Sequence, residues 1–103
     1  MRWYAYVAYF FGGVFLVNAI PHSVSGVLGR AFPSPFSSPP GQGATALVNV
    51  LWGTFNLVVG YLLVSRVGTF VLRRTREVLV VGAGGLLMAV MLAQLFGPLY
   101  GGA

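Results

Sequence analysis

The chain has 103 residues, of which 57% are hydrophobic and only 7% charged. Soluble domains carry about 25% charged residues, so this chain cannot clothe a water-facing surface and most of it must meet lipid. Its formal charge is +5, carried by six arginines, which lie at the ends of apolar segments. That placement suits anionic lipid head groups rather than a nucleic-acid face. The absence of cysteine excludes disulfides, thiol catalysis and thiolate metal sites.

The first apolar segment runs from Trp3 to Ile20. As a helix it reaches about 27 Å, close to the ~30 Å hydrocarbon core. Trp3 and Tyr4 beside Arg2 form an interfacial anchor. A cleaved signal peptide is the rival reading, since Val17-Asn18-Ala19 could pass as a cleavage site. The run is long and heavy in Tyr and Phe for that role. Pro21 ends or kinks the helix, because it has no N–H for the carbonyl four residues back. Val24, Val27 and Leu28 then have the spacing of a short interfacial helix, which Gly26 and Gly29 weaken.

Residues 32–43 read FPSPFSSPPGQG. Their four prolines leave polyproline II and turns, with Phe32 and Phe36 dipping toward the membrane or the bundle. Ala44 to Ser65 is a second span of about 33 Å. The linker Arg66 to Glu77 holds four of the six arginines: Arg66, Arg73, Arg74 and Arg76. Val78 to Phe96 is a third span, stopped by Gly97-Pro98, with Tyr100 at the far interface.

The predicted fold is therefore all-α: one integral membrane domain of three transmembrane helices, over 3–20, 44–65 and 78–96. A Pro/Gly-rich outer loop covers 21–43 and an Arg-rich linker covers 66–77. Short basic loops stay in the cytoplasm. This places the linker and the N-terminus inside, and the C-terminus and outer loop outside.

On the second span Asn49, Gly53, Asn56 and Gly60 fall on one helical face. On the third span Gly85, Ala89 and Ala93 do the same, and Ala8 and Gly12 make a small-residue face on the first. Small residues let helix backbones approach, and Asn can hydrogen-bond across them. The expected packing residues are Gly53, Asn56, Gly60, Gly85 and Ala89. They would form the seam of a tight bundle or of its oligomer.

Depth adds a second pattern. Counted from the cytoplasmic side, Asn18 lies at roughly 21 Å, and Asn49 and Gln94 at roughly 24 Å. His22 sits just beyond, four residues after Asn18. Polar groups in hydrocarbon are costly unless paired. Asn18, His22, Asn49 and Gln94 are therefore expected to face one another beneath the Pro-rich loop. The plainer reading is a hydrogen-bond network that fixes the bundle. The sharper one is an outward-facing pocket for a polar head group, a quinone or a small solute.

Catalysis finds little support. His22 is the only histidine, and there is no Asp or Cys, so a metal site lacks ligands and no acid orients a triad. The sole acid, Glu77, is expected at the opposite membrane face beside Arg76, with an interfacial role. Arg66, Arg73, Arg74 and Arg76 are expected to set topology and to contact anionic lipid head groups, at about 1 kcal/mol each.

The strings PHSVSGVLGRAFPSPFSSPPGQG and NVLWGTFNLVVGY cover somewhat under half of the chain. They resemble a group of small, uncharacterised bacterial inner-membrane proteins. That group has a Pro-His turn, a Ser-Pro-Phe/Pro-Pro-Gly loop and an Asn-Val-Leu-Trp-Gly span. The resemblance implies a bacterial plasma-membrane location and brings no activity, cofactor or catalytic residue. The functional expectation is a non-enzymatic small membrane protein that associates with itself or with a larger membrane complex. A binder or carrier of a small or lipidic ligand is the alternative.

Overall fold

A computed structural model describes residues 3–33 and 43–98. The expectations for Arg2, Phe36, Tyr100 and the tip of the Pro-rich loop lie outside the described residues. Three α-helices account for most of the rest: α1 (Trp3–Val27), α2 (Ala46–Ser65) and α3 (Thr75–Phe96). All three are long and apolar enough to cross a membrane. The molecule measures 43 × 27 × 21 Å, and its long axis matches a bilayer of about 40–45 Å including head groups. This is an all-α, multi-pass membrane protein.

The helix boundaries correct the sequence reading chiefly at α1. α1 does not stop at Ile20; it runs through Pro21 to Val27, nearly two turns further. Proline removes one backbone bond, but a membrane helix tolerates it where neighbours satisfy the freed carbonyl. The true stop is Gly29, which adopts φ +74°. There the Gly29 N–H donates to the Gly26 carbonyl and the Arg30 N–H to the Ser25 carbonyl. These are the paired bonds of a Schellman cap, for which glycine carries no Cβ penalty. The span and the expected interfacial helix are thus one element. α3 likewise starts three residues before Val78, so that Glu77 belongs to its first turn.

Beyond α1 the chain forms a two-residue strand, β1 (Phe32–Pro33). It pairs antiparallel with β2 (Gly43–Ala44), with Phe32 opposite Ala44. This clasp closes the mouth of the Pro-rich loop. Proline fits because a strand this short leaves few ladder bonds to lose. Thr45 then caps α2, its hydroxyl accepting from the Val48 N–H at 3.3 Å.

α1 is the central helix. Both α2 and α3 pack on it and scarcely touch each other. Two adjacent glycines allow this. A Cβ on Gly12 would come within 3.3 Å of the Gly60 carbonyl of α2, and one on Gly13 would drive into the Val81 carbonyl of α3. Consecutive helical residues point about 100° apart, so Gly12 and Gly13 serve the two neighbours separately. Further along, Gly53 receives Ser23, Gly60 receives Leu16, and Gly84 lies against the Phe10 carbonyl. Such close approach replaces, inside lipid, the hydrophobic drive that water supplies elsewhere.

Candidate functional site

The polar side chains gather at two ends of α1. At the His22 end they form two rungs between α1 and α2. Asn18 donates through Nδ2 to the Asn56 Oδ1 at 3.0 Å. One turn on, His22 Nδ1 lies 2.8 Å from the Asn49 Oδ1. Asn49, Asn56 and His22 are buried, and Asn18 is half-buried.

Asn49 is the hub. Its Nδ2 donates to the Phe32 carbonyl at 2.9 Å and to the Thr45 carbonyl at 3.1 Å. One side chain therefore ties α2, the clasp strand and α1 together. It also fixes the histidine. With its amide nitrogen donating to two carbonyls, Asn49 presents oxygen to the ring. His22 Nδ1 must then carry the hydrogen, and in neutral His22 the lone pair sits on Nε2. Aromatic rings surround the imidazole. Phe32 stands edge-on at 5.3 Å and Trp52 at 6.4 Å between centroids, and Phe96 of α3 packs on Phe32 at 4.8 Å.

The structure brings Asn18, His22 and Asn49 to this end, but not as a single ring of amides. Asn18 meets Asn56, which was assigned to packing, and Asn49 meets His22. Gln94 does not join them: it is exposed on α3. Equal depth said nothing about azimuth, and α3 turns its small residues, not Gln94, toward α1. Of the expected packing residues, Gly53, Asn56, Gly60 and Gly85 are buried, whereas Ala89 is exposed. Gly84 takes the buried place on α3.

The other end holds a cluster that the sequence reading missed. Glu77, expected at the membrane interface, is 1% exposed and so buried within the protein. Its carboxylate accepts from the Val71 N–H and from Arg74, each at 3.1 Å, and from the Tyr9 hydroxyl of α1. Phe70 stands edge-on to Tyr9 at 5.5 Å. The charge is thus buried but fully engaged, the condition under which a buried acid is tolerated. The i, i+3 spacing of Arg74 and Glu77 was the legible signal. Arg66, Arg73 and Arg76 are exposed, and Arg74 is divided between Glu77 and solvent.

Thirteen residues separate Tyr9 from His22 along α1, about 20 Å of rise. The only acid and the only histidine therefore cannot act on one substrate atom. Among the described residues no group of three potential ligands could hold a metal ion. No family model, no curated protein and no solved structure matches the chain.

Proposed function

We propose that this chain is a small, non-enzymatic component of the bacterial plasma membrane that associates laterally, with itself or with a larger membrane complex. Its linker faces the cytoplasm and anionic head groups, as short basic loops do. What carries the reading is the outward face of α2. Trp52 and Phe55 stack there at 5.5 Å, and with Val48 and Leu51 they line an apolar hollow of about 530 Å³. Fluid acyl chains cover a ridge as readily as a hollow. A preformed hollow beside rigid rings suits a side chain from a neighbouring helix.

The test is cross-linking in native membranes, followed by purification in mild detergent and mass determination. A cysteine at Leu51 is expected to cross-link to a stoichiometric partner or to a second copy. Leu51→Cys that yields only monomer, with no protein co-purifying, refutes the reading.

One observation favours the second reading, a ligand binder at the His22 end. Nε2 of His22 makes no hydrogen bond among the described residues. With its lone pair fixed there, the ring would accept from a ligand O–H or N–H, such as that of a lipid-soluble hydroquinone. A co-purifying small molecule lost on His22→Ala, without a protein partner, would favour this alternative.

A further inference from the structure

Because α2 and α3 both pack on α1 but scarcely on each other, they leave a trough along α1. Two hollows make it up. One, of about 410 Å³, is lined by Gly13 and Leu16 of α1 with Val81, Gly82, Gly85 and Ala89 of α3. The other, of about 580 Å³, is lined by Leu16 with Leu57, Val58, Tyr61 and Val64 of α2. Leu16 belongs to both, so α1 forms the floor, and α2 and α3 form the walls. Almost all of the lining is apolar. Ser65 at its foot already donates to the Tyr61 carbonyl at 2.6 Å.

The foot of the trough is built by the linker from α2 to α3. Ala5, Tyr9, Gly12 and Leu16 recur at the spacing of one helical face. The linker covers the beginning of that face. A Cβ on Gly68 would come within 2.8 Å of the Ala5 Cβ, and Phe70 stands on Tyr9. Glu77 fastens this arrangement by holding the Val71 N–H and Arg74. The linker carries Arg66, next to Ser65 at the foot of the trough, and further along Arg73 and Arg74. Glu77, the only acid in the chain, is engaged with one of them. The rest have no carboxylate to neutralise them.

We propose that this trough is a binding site for an anionic phospholipid: an acyl chain lies against Leu16 between α2 and α3, and the phosphate meets the linker arginines. The proposal rests on the reading of the linker as an element facing anionic head groups, and it adds a defined chain-binding site. Charge complementarity selects the occupant. An apolar transmembrane helix from a second copy would fill the walls but would bring this chain's positive linker against another like it. A phospholipid supplies an apolar body and a negative end in the order the trough requires.

The full chain, purified in mild detergent and delipidated, would be titrated with dioleoylphosphatidylglycerol or dioleoylphosphatidylcholine in mixed micelles, with bound lipid counted by native mass spectrometry. The glycerol lipid is expected to bind more tightly than the choline lipid. Arg66→Gln and Arg73→Gln should each weaken it roughly fivefold, the factor equivalent to about 1 kcal/mol per arginine. Gly82→Phe should reduce binding of both lipids. A Cβ at Gly82 meets nothing within 4 Å, so this ring fills the trough without parting the helices. Equal binding of the two lipids by the parent chain overturns the head-group reading itself. A preference that survives while Gly82→Phe changes nothing overturns the trough alone. Displacement of the glycerol lipid by millimolar inorganic phosphate would show an anion site with no chain requirement. A dimer that Gly82→Phe breaks, with no lipid bound to either form, would assign the trough to a second copy. Either of these last two results refutes the proposal.

Discussion

Replacing Asn49 with Ala tests the logic of the His22 end most directly. The side chain is 0% exposed, and its hydrogen bonds include those to the Phe32 carbonyl, the Thr45 carbonyl and His22 Nδ1. The Thr45 carbonyl also accepts from the Asn49 backbone N–H at 3.0 Å, so its loss matters little. The bonds to the Phe32 carbonyl and to His22 then set the least cost. Interhelical hydrogen bonds in membrane proteins contribute about 0.6 kcal/mol on average and up to about 1.7. Asn49→Ala is therefore expected to destabilise the protein by about 1–3 kcal/mol. The assay is reversible unfolding in mixed micelles, arranged as double-mutant cycles. Asn49→Ala with His22→Ala should show coupling of about 0.6–1.7 kcal/mol, and so should Asn18→Ala with Asn56→Ala. Asn18→Ala with Asn49→Ala should be nearly additive, because the two belong to different rungs. Strong coupling between Asn18 and Asn49, with none between His22 and Asn49, would refute the two-rung geometry.

Glycine replacements should separate contact from vacancy: Gly13→Leu or Gly84→Leu should prevent folding or assembly, because each forces α1 and α3 apart, while Gly82→Leu should leave thermal stability unchanged or raised. Thermal unfolding in detergent checks both, and equal effects at the three positions would mean that α3 is rotated from its place here. Glu77→Ala should destabilise by about 1–3 kcal/mol, since it leaves the Tyr9 hydroxyl and the Val71 N–H without their acceptor, while the half-exposed Arg74 turns to water; unchanged unfolding would show that the linker is not fastened there. In intact cells, an impermeant thiol reagent should modify a cysteine at Ser37 and spare one at Thr75, and labelling of Thr75 alone would reverse the proposed topology.

Composition and apolar run length were enough to read three membrane helices, because lipid forces every span to satisfy its own backbone. The face Asn49, Gly53, Asn56 and Gly60 was equally legible, since helical period alone places those four together and the structure buries all four. Three features were not. Pro21 looked like a terminus because a proline is read as a lost donor, whereas the helix ends where a residue must take positive φ, at Gly29. Gln94 shared a depth with Asn18 and Asn49, but rise along a helix carries no information about which way α3 is turned. Glu77 looked interfacial because charge in a short linker normally meets water. Its burial depends on Tyr9, sixty-eight positions earlier, reaching the same corner of the bundle, and no local pattern encodes that. The consequence is specific. Sequence period identified which residues leave the lipid, while the pairing of Asn18 with Asn56, and of Tyr9 with Glu77, came from the adjacent glycines Gly12 and Gly13. These set α2 and α3 at different azimuths on α1, and so decide which polar groups can meet.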